Sequence, residues 1–91
     1  MYYLYILKCA DKTLYTGITT DLKRRITEHN SSKFGAKYTS SRRPVKMVYS
    51  RKFKNRSGAS KEEARIKKLK RDDKLELIKE YRDDYTRYIK K

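Results

Sequence analysis

Residues Tyr2–Thr19 read YYLYILKCADKTLYTGIT, and the pairing register inside this stretch decides the fold. YYLYILKC, residues 2–9, is rich in aromatic and β-branched types, which suit a strand. Both of its alternating faces are apolar: Tyr3, Tyr5 and Leu7 on one, Leu4 and Ile6 on the other. It therefore reads as a central strand covered on both sides. Ala10-Asp11-Lys12 is a polar turn, and residues 13–18 form the second strand of a hairpin. A three-residue loop pairs Cys9 with Thr13, Leu7 with Tyr15 and Tyr5 with Gly17. Tyr5 and Tyr15 then sit diagonally on one face, within reach of each other. A two-residue loop would turn Tyr15 to the other face.

Downstream, Asp21 can cap a helix running to about Asn30. Leu22, Arg25, Ile26 and His29 follow i, i+3, i+4, i+7, so the arginine and the chain's one histidine share the aliphatic stripe. Lys23, Arg24, Thr27 and Glu28 are expected elsewhere on the helix. Residues 31–43, SSKFGAKYTSSRR, form a polar loop that is long for so small a domain. Pro44 opens a third strand, VKMVYSRKF, with Val45, Met47 and Tyr49 expected on one face. Ser57 or Ser60 starts a helix reaching about Arg71, and Asp72 or Asp73 caps another. In that last helix Leu75, Ile78, Tyr81, Tyr85 and Tyr88 recur near helical spacing. The expected fold class is α/β: a small three-stranded, mainly antiparallel sheet flanked by helices. Residues 1–80 are expected to form the domain, with 81–91 as a helical extension or tail.

Ninety-one residues support one domain with a thin core. The net charge of +15 is uneven: residues 1–60 carry +11 and residues 61–91 carry +4. Between Glu28 and Glu62 there is no acid, while ten lysines and arginines accumulate. Such a field draws polyanions and speeds their encounter, and nucleic acid is the first partner it suggests. One cysteine, Cys9, excludes an internal disulfide and a cysteine-cluster zinc site. The opening MYYLYILKC is too short for a membrane span and lacks the basic start of a signal peptide, so no membrane association and a cytoplasmic location are expected.

Each candidate functional residue also has an ordinary reading. Tyr5 could hold or deprotonate a water, but a strand aromatic is commonly packing. A free phenol ionises near pH ~10, so base duty at neutral pH needs a nearby cation. Arg25 would be that cation, or would meet a phosphate oxygen; a basic run is otherwise a solvated helix face. His29 could relay a proton or bind phosphate, or serve as a dipole partner at the helix C-terminus. Gly17 leaves space over Tyr5, or marks a bulge. Glu63 completes a capping box if Ser60 is the cap. If Ser57 is the cap, Glu63 lies mid-helix on the stripe of Ala59 and Ile66, where a carboxylate could hold Mg²⁺. In the loop, Lys33, Lys37, Arg42 and Arg43 alternate with Phe34 and Tyr38, so phosphates could meet the cations and an unpaired base could stack.

These residues together resemble the GIY-YIG nuclease superfamily, most closely its small stand-alone bacterial members. Tyr5, in LYIL, stands where the family has its "GIY" tyrosine, and Tyr15-Thr16-Gly17 corresponds to "YIG". Arg25 falls ten residues after Tyr15 and His29 four later, as in the family. Glu63, in EEARIKKL, matches the metal-binding glutamate, and GAKYTSSRRPVKMVYS also resembles that branch. The resemblance implies a metal-dependent DNA endonuclease with one Mg²⁺ or Mn²⁺ ion on Glu63. It assigns catalytic roles to Tyr5, Tyr15, Arg25, His29 and Glu63. Nucleic-acid contacts are expected at Gly17, Lys33, Lys37, Tyr38, Arg42 and Arg43. DNA, branched or single-stranded, is the expected substrate, DNA repair the expected setting, and a protein partner a source of specificity. Many relatives carry an asparagine after the glutamate helix, whereas this chain has none beyond Asn55. The alternative is accordingly a non-catalytic DNA- or RNA-binding module on the same scaffold.

Overall fold

The computed structural model describes residues 1–31 and 37–89, excepting the side chains of 37, 38 and 82–89. Strand β1 (Tyr2–Lys8) pairs antiparallel with β2 (Leu14–Thr19) in the register expected of the three-residue loop: Leu7 faces Tyr15 and Tyr5 faces Gly17. The turn itself fixes this register. Cys9 N–H donates to the Thr13 carbonyl at 2.9 Å, and Lys12 N–H donates back to the Cys9 carbonyl at 2.9 Å. Lys12 takes φ 70°, the left-handed residue such a loop demands. The Asp11 carboxylate accepts from the Thr13 hydroxyl and amide, at 2.6 and 3.1 Å.

Strand β3 (Lys46–Phe53) pairs antiparallel with the other edge of β1, giving the order β2-β1-β3. The sheet is thus three-stranded and antiparallel, with the apolar N-terminal strand in the centre. The β1–β3 register slips by one residue, so that Ile6 faces Tyr49 and Leu7 faces Met47. That slip corrects one expectation. Val45 and Met47 lie on the Tyr5 face, but the additional residue turns Tyr49 to the opposite face, with Leu4 and Ile6.

Both faces of β1 are covered. On one, Leu4 and Ile6 pack with Ile66 of α3 (Arg56–Lys67) and Ile78 of α4 (Arg71–Ile89). On the other, Tyr5, Leu7, Cys9 and Val45 pack under Leu22 and Ile26 of α1 (Leu22–Ser31). Each such aliphatic side chain removed from water contributes roughly 1.5–3 kcal/mol. Asp21 caps α1 as expected, its carboxylate accepting from Arg24 N–H at 3.1 Å.

Three boundaries differ from the sequence reading. Helix α3 is capped by Asn55, whose side chain accepts from Gly58 N–H at 2.9 Å, rather than by Ser57 or Ser60. Asn caps at least as well as Ser, and taking it lengthens the helix by a residue or more. Glu63 is therefore mid-helix and not part of a capping box. Helix α4 begins at Arg71, which leaves Asp72 and Asp73 in its first turn, where they meet the helix dipole. The expected 31–43 loop contains a one-turn helix, α2 (Lys37–Ser40). Its far end is fixed by Asn30: the side-chain amide donates to the Val45 carbonyl at 2.9 Å and accepts from Val45 N–H at 2.7 Å, beside a cis Arg43–Pro44 bond.

Helix α4 runs unbroken through residues 80 and 81, and Tyr81 packs on β3, its ring 5.4 Å from that of Tyr49. Among the described residues no helix is long and apolar enough to cross a membrane.

Candidate active site

The hairpin register and the α1 stripe place four of the expected residues around one hydroxyl. Tyr5 is 1% exposed, and its ring lies 6.4 Å from that of Tyr15. The Tyr5 hydroxyl is 3.0 Å from His29 Nε2. The His29 ring also stands edge-on to Tyr15, with centroids 5.2 Å apart. From the same stripe the Arg25 charge bears on the Tyr5 phenol, and its Nη1 donates to a Glu28 carboxylate oxygen at 2.9 Å. Glu28, expected elsewhere on the helix, is thus the arginine's anchor; its i, i+3 spacing was the available signal.

Gly17 is needed for space rather than for its backbone angle. A Cβ built there would lie 2.6 Å from the Tyr5 hydroxyl and 2.8 Å from its Cζ. Any side chain at this position would displace the phenol.

Helix α3, which carries Glu63, packs against both β1 and β2. The Glu63 carboxylate is the weakest of the influences on the Tyr5 phenol and acts to keep it protonated. The two neighbouring glutamates serve different partners. Glu62 is clasped by Arg65 at 2.6 Å and by Arg51 of β3 at 3.2 Å, and its charge falls on Tyr49. Glu63 pairs with Lys67 at 3.3 Å.

Burial sets the protonation of the centre. It pushes the Tyr5 phenol up to about 12, outweighing the Arg25 hydrogen bond and charge that work the other way. Burial also drives His29 down to about 4, helped by the Arg25 charge. The imidazole is fully enclosed, so phosphate does not reach it directly. Moving the Tyr5 proton to His29 in this resting state is uphill by on the order of 10 kcal/mol, so the pair rests as phenol and neutral imidazole. Burial also disfavours the Arg25 charge, but Glu28 and Tyr5 more than offset it, and the guanidinium stays cationic.

Thr39, Arg42 and Arg43, in the described part of the basic loop, are held by specific partners. Arg43 Nε donates to the His29 carbonyl at 2.6 Å. Arg42 pairs with Asp11 at 3.0 Å, across to the hairpin turn. Thr39, in α2, is fully buried with its Oγ1 at 2.8 Å from His29 Nδ1. Sequence reading missed Thr39: it meets His29 across ten residues of loop, with no periodic spacing to announce it. Lys33 and Phe34 fall outside the described residues, as do the side chains of Lys37 and Tyr38.

The donor set is compatible with a sparsely ligated divalent ion. Among the described residues no cluster of three or more metal-ligating side chains occurs. A single carboxylate on a strongly cationic protein nevertheless suits Mg²⁺, which keeps most of its waters and takes further oxygens from phosphate. Glu63, the carboxylate that the resemblance assigns to metal, is paired with Lys67 at 3.3 Å.

Comparison with known proteins gives a consistent result. Residues 1–83 match the family model described as the GIY-YIG catalytic domain. The chain is 58% identical over 78 residues to a UPF0213 protein of Syntrophus aciditrophicus, covering 86% of this chain and 90% of that one. It is 47% identical over 77 residues to a UPF0213 protein of Natronomonas pharaonis, covering 85% and 89%. Among solved structures, a protein from E. faecalis superposes with a TM-score of 0.61 at 48% identity, covering 89% of this chain and 85% of that one. A UPF0213 protein from Bacillus halodurans gives a TM-score of 0.56 at 42% identity, covering 87% and 84%.

Proposed function

The chain belongs to the GIY-YIG catalytic-domain family, and on that premise we propose that it is a metal-dependent endonuclease that hydrolyses phosphodiesters in DNA, reading DNA structure rather than a long sequence. The observation that carries this reading is the convergence on one hydroxyl. Tyr5 meets His29 at 3.0 Å, has the Tyr15 ring 6.4 Å away, lies opposite the space left by Gly17, and sits in the field of the Arg25 charge. A merely structural tyrosine has no need of a nearby cation and a buried histidine on its hydroxyl.

Arg25 stays charged and would neutralise a non-bridging phosphate oxygen as negative charge develops. Tyr5, steadied by Tyr15, would orient the attacking water and accept from it as His29 accepts from Tyr5. Glu63 would hold the divalent ion, Mg²⁺ or Mn²⁺, whose contribution when bound is Lewis-acid charge at the phosphodiester. The net charge of +15 supports a polyanionic substrate.

The test is incubation with single-stranded, duplex and branched DNA, with Mg²⁺, Mn²⁺ or chelator. Cutting is expected only with metal, and is expected to fall by at least ~10²-fold in Arg25→Ala and in Glu63→Ala. Retarded migration without cutting in any metal condition would overturn the nuclease reading in favour of a binding module. RNA competition in the same gel measures whether DNA is the preferred polyanion.

A further inference from the structure

The nuclease reading uses Tyr5 and His29, but it leaves unexplained why a loop helix sends a buried hydroxyl to the far nitrogen of the histidine. Resting on that reading, we propose that Thr39 is a positioning residue: it holds the His29 imidazole in the Nδ1–H form, so that Nε2 is left to take the Tyr5 proton.

The assignment follows from hydrogen-bond accounting at one hydroxyl. Tyr5 rests as a phenol, with one O–H to donate. The Arg25 charge bears on the same phenol from the α1 stripe. A phenol O–H in a site 1% exposed needs an acceptor, and Nε2 at 3.0 Å provides one. Nε2 therefore carries the lone pair. A neutral imidazole then has its proton on Nδ1, and this N–H points at Thr39 Oγ1, 2.8 Å away. Thr39 thus stands to His29 as the orienting acceptor stands to the histidine of a catalytic triad.

Two further contacts keep the acceptor in place. Arg42 N–H donates to the Thr39 carbonyl at 3.0 Å, and Arg43 Nε grips the His29 carbonyl at 2.6 Å. The arginines that sequence composition assigns to nucleic acid also hold both ends of the Thr39–His29 contact.

The relay balances as follows. Water gives a proton to the Tyr5 oxygen as Tyr5 passes its own proton to Nε2. The hydroxide forms a bond to phosphorus, the bond to the leaving oxygen breaks, and that oxygen takes a proton from solvent. His29 then returns its proton through Tyr5 to solvent, which replaces the one the leaving oxygen took and restores the resting phenol and imidazole. Because the two transfers coincide, Tyr5 never carries the full negative charge that its burial opposes. A phosphodiester beside Arg25 also cancels part of the field that depresses His29.

His29 is the chain's one histidine, so its ring ¹⁵N signals are unambiguous. Wild type is expected to show the Nδ1–H form at pH 7. Thr39→Val is expected to lose that preference and Thr39→Ser to keep it. With branched DNA and Mn²⁺, kcat is expected to fall by about 10–100-fold in Thr39→Val with KM little changed, part of the roughly 10²–10⁴ that a positioned proton acceptor supplies. Thr39→Ser is expected to restore it. An Nε2–H wild-type imidazole, which needs no variant to measure, would overturn the proposal. So would a Thr39→Val protein that keeps both the Nδ1–H form and its kcat. If no DNA is cut by any form, the nuclease reading fails, while the ¹⁵N result still decides whether Thr39 sets the imidazole.

Discussion

Acidification should unfold this protein earlier than its carboxylates alone require, and His29 is the reason. In the unfolded chain the imidazole takes up a proton near pH 6.5; in the native site burial and Arg25 hold it off until about 4. Between these values the unfolded state binds more protons, so native stability falls as pH falls. The carboxylates with lowered values, Glu62 and Asp11, begin from 4.5 and 3.8, and so lose their contribution only below that range. Tyr5, raised from 10.0, acts far above it. From pH 6.5 to 4.5 the loss therefore belongs chiefly to His29 and amounts to about 2 kcal/mol. At a urea dependence of about 1–1.5 kcal/mol per molar, the unfolding midpoint should drop by roughly 1.5–2 M. Circular dichroism in urea at half-unit pH steps would read this. His29→Gln, which keeps a polar group beside Tyr5 but does not titrate, should be less stable at pH 7 and flat over the window. A flat wild-type profile, or an equal slope in His29→Gln, would refute the claim that a neutral buried imidazole holds the centre together.

Two substitutions test the hairpin from opposite directions. Gly17→Ala forces a Cβ to within 2.6 Å of the Tyr5 hydroxyl, so the phenol must move away from Gly17. It should cost about 1–3 kcal/mol in urea unfolding and shift the His29 ring signals. Lys12→Gly relieves a side chain held at φ 70° and should stabilise by roughly 0.5–1 kcal/mol, with the His29 signals unchanged.

The hairpin was legible because both of its determinants are local. An apolar run with two greasy faces must be central, and a loop of fixed length sets which residues face each other. The helix stripe of Leu22, Arg25, Ile26 and His29 was legible for the same reason. The slip that turns Tyr49 to the other face was not, because a one-residue insertion in a ladder leaves no mark in an alternating apolar pattern. Nor was the Asn55 cap singled out, since serines with equal capping chemistry stand nearby in Arg56-Ser57-Gly58-Ala59-Ser60.

The sequence by itself determined the order of the strands and the main helices, the Tyr5–Gly17 pairing and the shared face of Arg25 and His29. Each depends on spacings of only a few residues along one element or across one tight turn. Tertiary structure alone decided that Thr39 meets His29, that Glu62 is clasped by Arg65 and Arg51, and that burial holds the imidazole neutral well below its ordinary range. Those outcomes depend on which atoms burial brings together and strips of water, and energies of desolvation are set by the packed surroundings, not by the order of residues.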